Sequence, residues 1–273
     1  MTTRPLHGRA RRHTADRHTS GWSVQSEEWL VVEQPLAINV DGEIIATTMC
    51  TPDDPVALAL GFCIAEGMLQ ADVTAGVSVD RSGPTTTVLI ETGHLPGSFS
   101  ARLGTVSSSC GVCGTADMAA LVASVACVDA GRQPDGDVVA SVASNLRSQQ
   151  EVFALTGGSH AAAAVTIDGH VVEITEDVGR HNAVDKVVGH LYRSGRLPAR
   201  DLMLVISGRA SFEMVQKACA AGFGTLIAVS APSSLAVDAA QRAGLRLIGF
   251  ARDDRFTAYV DPSVVPTAST STQ

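Results

Sequence analysis

The last third of this 273-residue chain alternates short apolar runs with helix-forming segments, and that order restricts the fold more than any other feature. The apolar runs are 202–206, 226–229 and 245–250, and the helical segments near 211–221 and 233–243 lie between them. Runs of this length without polar alternation are typical of parallel strands that are buried on both faces. Two successive strand–helix–strand units therefore predict an α/β fold, in which helices cover a mixed or parallel sheet.

The segments before this region predict further strands and helices. Residues 27–50 and 73–92 have the residue types of strands, with a hairpin turn signal at Asp41-Gly42. Asp54 followed by Pro55 is a typical helix start. The remaining predicted elements are helices at 115–130 and 137–149, strands at 161–167 and 170–175, and a helix that ends near Ser194.

Charge is distributed unevenly along the chain. The net charge of −8 argues against a general nucleic-acid binder, yet residues 1–18 hold five arginines and one acid. We interpret the arginine-rich start as a mobile arm and the Ser/Thr-rich end as a loose tail. The predicted regions are a mobile basic arm (1–24), a small α+β domain (25–104), the α/β domain (105–261) and a loose tail (262–273).

The composition also bears on where the protein works. Apolar residues make up 45% of the chain and charged residues 18%, which is typical of a globular protein in water. No apolar run reaches the about 18 residues that a membrane span needs. The arginine-rich start is not followed by an apolar stretch, so a secretory signal is not expected. We therefore expect a cytoplasmic protein that binds neither nucleic acid nor membrane.

Two of the six cysteines, Cys110 and Cys113, lie three positions apart in the segment 107–114. Serine and glycine surround them, which favours an accessible loop, and a predicted helix follows the loop. Thiols at a helix N-terminus are more readily ionised, and the thiolate is the reactive form. The other four are predicted to be buried small hydrophobes: Cys50, Cys63, Cys127 and Cys219.

A pair of thiols at this spacing is compatible with several chemistries. A structural zinc site needs four ligands, and without a second cysteine pair it would require His160 or His181. Zinc deaminases use a similar pair, but with an upstream His-x-Glu or Cys-x-Glu that this chain lacks. Thioredoxin-like proteins place the pair after their first strand. A sulfur carrier needs only an exposed thiol that holds a persulfide and a neighbour that can release it.

Polar residues follow each of the three apolar runs in the last third. They are Ser207-Gly208-Arg209, Ser230 to Ser233, and the segment 250–255, which contains Arg252 and Arg255. Ligands of open α/β sheets bind at the carboxyl ends of strands, where helix N-termini and arginines can hold phosphate oxygens. We predict an anion-binding edge here, although serines that cap helices and arginines that face solvent would produce the same pattern.

The segment 176–186 is dense in polar side chains. His181 and Asp185 lie one helical turn apart, as do Asn182 and Lys186, so each pair shares a face. This pattern indicates either a functional site or a helix start that is solvated and carries ordinary salt bridges. His160, which follows two glycines, is a weaker candidate of the same kind.

Taken together, these motifs resemble one known family, the formate dehydrogenase accessory sulfurtransferases (FdhD). The run 176–186 is the most specific motif, since a Cys-x-x-Cys alone is common. The resemblance covers nearly the whole chain after the arm. The other matching segments are 33–36, 61–62, 66–67, 109–114, 156–158, 160–162, 207–213 and 230–232.

The resemblance implies a function, a fold and residue roles. The protein would accept sulfur from a cysteine desulfurase and pass it to the molybdenum bis-molybdopterin guanine dinucleotide, a bound substrate, for the formate dehydrogenase apoenzyme. The resemblance also implies a cytidine-deaminase-like second domain, a homodimer and no permanent metal. Cys110 would carry the persulfide, assisted by Cys113. The cofactor-binding residues, from the resemblance and the strand-end argument, are His181, Asn182, Ser207, Gly208, Arg209, Ser230, Phe250, Ala251, Arg252, Asp253, Asp254 and Arg255.

Two rival functions stay open on the sequence. A zinc-dependent, deaminase-like hydrolase would carry stoichiometric metal. A chaperone that binds the cofactor without transferring sulfur would tolerate substitution of both cysteines.

Overall fold

The structure is a computed structural model that describes residues 8–93, 118–252 and 255–263. Its strands are β1 (Ala10–Thr19), β2 (Trp22–Val31), β3 (Gln34–Val40), β4 (Glu43–Cys50), β5 (Gly76–Asp80), β6 (Thr86–Glu91), β7 (His160–Thr166), β8 (Val171–Asp177), β9 (Leu202–Ile206), β10 (Thr225–Ala228), β11 (Arg246–Arg252) and β12 (Arg255–Val260). Its helices are α1 (Pro55–Ala65), α2 (Met118–Ala123), α3 (Gly136–Ser148), α4 (Glu151–Thr156), α5 (Arg180–Arg193), α6 (Phe212–Ala220) and α7 (Ser234–Ala243).

The largest sheet has six strands in the order β12-β11-β10-β9-β7-β8. β9, β10 and β11 are parallel, with α6 and α7 between them, which confirms the two predicted strand–helix–strand units. Alternate residues of each strand face opposite cores. Leu204 and Ile206 pack with α5, α6 and α7, whereas Met203 and Val205 pack with α3. Burial on both faces explains why these strands lack polar alternation.

A second sheet has four strands in the order β4-β3-β6-β5, as the first half of the sequence predicts. Its helix α1 packs against α5 of the larger sheet. A Cβ atom at Gly61 would lie 1.8 Å from the Asp185 carbonyl oxygen, and one at Gly189 would lie 1.9 Å from that of Ala57. The two helices therefore approach so closely that only glycine fits at these positions. The predicted domain boundary near 104 lies outside the described residues.

The predicted mobile arm is wrong for residues 10–24. They belong to β1 and to the start of β2, which pair in antiparallel register from Ala10–Val31 to Thr19–Trp22. Arg12 lies over the Trp29 ring, and Arg17 lies 2.6 Å from the Glu28 carboxylate. Both faces of this hairpin are largely exposed, so its sequence has no apolar alternation that would predict strands.

Two helices also differ from the predictions. The helix expected over 115–130 ends at Ala123, because the following segment is extended and the Val128 amide donates to the Ala243 carbonyl oxygen. The short helix α4 was not predicted. Its first amide groups, those of Val152 and Phe153, donate to the Glu176 carboxylate at 2.8 and 2.9 Å. Its start therefore depends on a tertiary contact.

Within the described ranges, no helix is long and apolar enough to cross a membrane.

Candidate functional site

The carboxyl ends of four strands meet at one edge of the six-stranded sheet. β9, β10 and β11 are parallel, and β8 has the same direction because both β8 and β9 pair antiparallel with β7. The loops after these strands and the start of β7 therefore lie side by side. The three loops predicted to share an edge do so.

Backbone hydrogen bonds fix these loops to one another. The Ala210 amide donates to the Ala231 carbonyl oxygen at 3.2 Å, and the Ser233 amide donates to that of Ala210 at 2.9 Å. The Phe250 amide donates to the Ser230 carbonyl oxygen at 3.2 Å. The edge is thus a continuous surface formed by β9, β10 and β11, to which each strand contributes a polar loop.

The predicted residues on β11 and β12 have different environments. Phe250 has a left-handed backbone (φ 52°) and a ring that is 38% exposed, while Ala251 is buried and can offer only backbone atoms. Arg252 and Arg255 are exposed. Cations and an aromatic face are therefore available at this end. Asp253 and Asp254 lie outside the described residues.

The predicted residues on the β9 and β10 loops are half-buried or exposed. Ser207 Oγ accepts a hydrogen bond from the Ala161 amide at 2.9 Å, which joins β7 to the end of β9. Gly208 and Ser230 are half-buried, and Arg209 is exposed. The Arg209 guanidinium can therefore meet a ligand from solvent.

His181, in the first turn of α5, contacts Glu213 in the first turn of α6. The His181 Nε2 and Glu213 Oε2 atoms are 2.5 Å apart, and both side chains are largely buried. The hydrogen bond from His181 lowers the pKa of Glu213, although burial opposes the shift. The pair joins the starts of two helices that border the strand-end loops.

Asn182, the other predicted residue of α5, is occupied by protein partners. Its Nδ2 donates to the Met49 carbonyl oxygen and to Asp177 Oδ1, each at 2.8 Å. Its Oδ1 accepts from Thr48 Oγ1 at 3.4 Å. The amide therefore ties α5 to β4 and to the end of β8.

A buried ionic cluster accounts for much of the polar run 176–186. Lys186 Nζ lies 2.7 Å from Asp177 and 2.5 Å from Asp53, while Arg9 lies 3.1 Å from Asp53 and 3.5 Å from Glu176. Burial favours a low pKa for Lys186, but the two carboxylates raise its pKa and keep it charged. The cluster links the hairpin, the four-stranded sheet and α5. Sequence reasoning missed Arg9 and Asp53, which are distant from the motif along the chain.

Two further residues, His160 and Arg180, lie beside Gly208 at the edge. A Cβ atom at Gly208 would lie 3.7 Å from His160 Nδ1 and 3.8 Å from Arg180 Cδ. Burial, the Arg180 charge and His181 lower the pKa of His160. Arg180 Nε is buried and has no hydrogen-bond partner among the described residues. The only sequence signal for Arg180 is its position beside Gly179 and His181.

The cysteines divide into three groups. Cys110 and Cys113 lie outside the described residues. Cys50, Cys63 and Cys219 are buried as predicted, whereas Cys127 is exposed because the predicted helix around it does not form. In the part of the chain that the structure describes, no group of three or more His, Cys, Asp or Glu side chains is placed to hold a metal ion.

The fold and the edge define a class: an α/β protein with exposed arginines on its strand-end surface and a smaller sheet that packs against it through α1 and α5. The chain belongs to the FdhD/NarQ family, whose model matches residues 31–265. The match includes the Cys-x-x-Cys segment, the run 176–186 and the strand-end loops.

Individual relatives support this assignment. The chain is 45% identical over 243 residues to the sulfur carrier protein FdhD of Streptomyces avermitilis, covering 84% of this chain and 86% of the relative. It is 40% identical over 269 residues to the sulfur carrier protein FdhD of Mycobacterium tuberculosis, covering 92% and 97%. A crystal structure described as a formate dehydrogenase accessory protein from Desulfotalea psychrophila superposes with a TM-score of 0.75 at 21% identity, covering 93% of this chain and 97% of that one. The last comparison supports the fold.

Proposed function

We propose that this protein is a sulfur carrier that serves formate dehydrogenase. It accepts sulfur from a cysteine desulfurase and passes it to the molybdenum bis-molybdopterin guanine dinucleotide before the apoenzyme takes up that cofactor. Membership of the FdhD/NarQ family and the names of the relatives support the sulfur-carrier role. The observation that carries the cofactor part is the set of exposed arginines at the strand-end edge, because phosphate oxygens bind well to arginines and backbone amides at such an edge.

Cys110 is the proposed sulfur acceptor. Its thiolate attacks the outer sulfur of the donor's persulfide, a new sulfur–sulfur bond forms, and the donor cysteine leaves as a thiolate. Cys113, three positions away, assists the later release by exchange. This chemistry makes the protein a sulfurtransferase.

The substrate's phosphates are proposed to bind along the edge. Arg209, Arg252 and Arg255 are exposed there and supply positive charge, while the exposed Phe250 ring offers a surface on which a purine base can stack. A homodimer in the cytoplasm, with a cytidine-deaminase-like larger domain, is the proposed working form.

A complementation experiment tests this function. A bacterial strain that lacks its own family member and has no formate dehydrogenase activity is supplied with this protein or its variants. We expect wild type and Cys127→Ala to restore formate dehydrogenase activity and Cys110→Ala to leave the strain without it. Full restoration by both Cys110→Ala and Cys113→Ala would instead support a chaperone that carries no sulfur.

A further inference from the structure

Arg180, which is half-buried, differs from the buried cations that the structure describes. Lys186, Lys217, Arg9 and Arg246 each have a carboxylate within 3.4 Å. Arg180 Nε is buried without an acceptor, and no ion pair to its guanidinium forms among the described residues. A buried N–H group without an acceptor is unfavourable, so this position indicates a site for an anion that the protein itself does not supply.

The neighbouring carboxylate does not neutralise Arg180. Glu213 is close enough for the Arg180 charge to lower its pKa, but its principal partner is His181, at 2.5 Å. His160 also lies beside Gly208, and its ring makes no side-chain hydrogen bond within the described ranges. An arginine and a histidine therefore lie beside the same space, and the two acids that act on them, Glu213 and Asp177, are already paired with His181 and Lys186.

Gly208 provides the space beside these two side chains. Its missing side chain leaves 3.7 Å from the Cβ position to His160 Nδ1 and 3.8 Å to Arg180 Cδ. Its φ angle lies outside the left-handed region, so backbone conformation does not require glycine here. The glycine instead leaves space for about one methyl group beside Arg180 Cδ and His160 Nδ1, which helps a small oxyanion to approach the two side chains closely.

We propose that Arg180 and His160, both beside Gly208, form a subsite that binds a phosphate group of the guanine dinucleotide. This inference rests on the proposed function and adds residues to it. In the sheet order, β9, which leads to Gly208, and β11 are separated by two inter-strand steps, or about 10 Å. The subsite thus lies about two strands from the end of β11 that carries Arg252, a span that an elongated dinucleotide can bridge.

Calorimetric titration of the full chain with inorganic pyrophosphate and with guanosine diphosphate tests the subsite. We expect Arg180→Gln to weaken the binding of both by about tenfold or more, the loss typical of one charge-assisted contact. Arg193→Gln is the matched control, since it removes the same charge from the exposed far end of α5. Equal affinities of wild type and Arg180→Gln would overturn the proposal, as would a wild type that binds neither probe.

A second variant covers the case in which Arg180→Gln does not fold. Gly208→Ala fills the gap without contacts shorter than 3.7 Å, so its thermal stability should stay close to that of wild type. We expect Gly208→Ala to weaken pyrophosphate binding, as Arg180→Gln does. Unchanged binding by a folded Gly208→Ala protein would show that the gap is not used.

Sulfur uptake separates this inference from the proposed function. Arg180→Gln should still accept sulfur from a cysteine desulfurase, because the subsite binds the substrate's phosphate and not the donor. Loss of phosphate binding with normal sulfur uptake supports the subsite. A wild type that binds pyrophosphate through Arg180 but accepts no sulfur would refute the proposed function and leave the subsite standing.

Discussion

Buried and exposed cysteines differ in reactivity within the described part of the chain. Burial raises the pKa of Cys50, Cys63 and Cys219 to about 12 in each case. These thiols therefore stay protonated, and the neutral thiol is a poor nucleophile. Cys127 is exposed, and Arg242 Nη1 donates to its Sγ at 3.2 Å.

Brief alkylation of the folded protein with iodoacetamide at mildly alkaline pH checks this difference. We expect Cys127 to be modified and Cys50, Cys63 and Cys219 to be protected until the protein is denatured. Peptide mapping by mass spectrometry measures each site. If Cys63 or Cys219 were labelled in the native state as fast as Cys127, these thiols would not be buried.

The His181–Glu213 pair makes stability depend on pH. The pKa of Glu213 is lower in the folded protein than its ordinary value of 4.5, chiefly because of the hydrogen bond from His181. The carboxylate therefore stabilises the fold above the ordinary value, and this contribution is lost as the pH falls through the lower folded value. The free energy of unfolding of wild type should thus exceed that of Glu213→Gln at neutral pH.

Urea denaturation of both proteins between neutral and acidic pH measures this difference. We expect the gap between them to narrow as Glu213 becomes protonated. A gap that stays constant down to the most acidic pH at which both proteins fold would contradict the assignment.

Helices α1 and α5 cross so closely that no side chain fits at their point of contact. Gly189→Ala would place a methyl group 1.9 Å from the Ala57 carbonyl oxygen. Two backbones would have to separate, so we expect a loss of about 3 kcal/mol in the free energy of unfolding, the upper end for overpacked sites. Gly83→Ala is the control, because nothing lies within 4 Å of its Cβ position. Chemical denaturation of the two variants compares them directly, and equal stabilities would disprove the close crossing.

Sequence patterns predicted some elements well and others not at all. The three parallel strands were predicted to within about two residues, because burial on both faces produces apolar runs that need no tertiary information. β1 was missed because both faces of its hairpin are exposed. α4 was missed because Glu176, a distant residue, satisfies its first amide groups.

At the candidate site, too, local sequence patterns predicted some features, and tertiary contacts decided the others. Chain order alone predicts that the loops after β9, β10 and β11 share an edge, since parallel strands end on the same side. Tertiary placement decides the rest: Asn182 binds Met49 and Asp177, whereas Arg180 Nε, two positions earlier, has no hydrogen-bond partner among the described residues. A polar run along the sequence does not reveal which of its members bind one another.

At the level of the whole molecule, the two larger sheets are joined by a helix crossing and a buried ionic cluster. Gly61 and Gly189 let α1 and α5 meet, and Lys186 binds Asp53 from the N-terminal region and Asp177 from β8. Removing one partner of a buried ion pair leaves an uncompensated charge. The strand-end edge therefore rests on elements that are tied to one another, which suits the proposed binding of an anionic substrate there.

The central claim is that this protein carries sulfur on the segment 107–114. The most direct measurement is the intact mass after incubation with a cysteine desulfurase and cysteine, followed by peptide mapping. We predict a gain of one sulfur atom on the peptide that contains Cys110, removed by a thiol reductant, present in Cys127→Ala and absent in Cys110→Ala. No gain in mass, or a sulfur atom that remains on the Cys110→Ala protein, would contradict the claim.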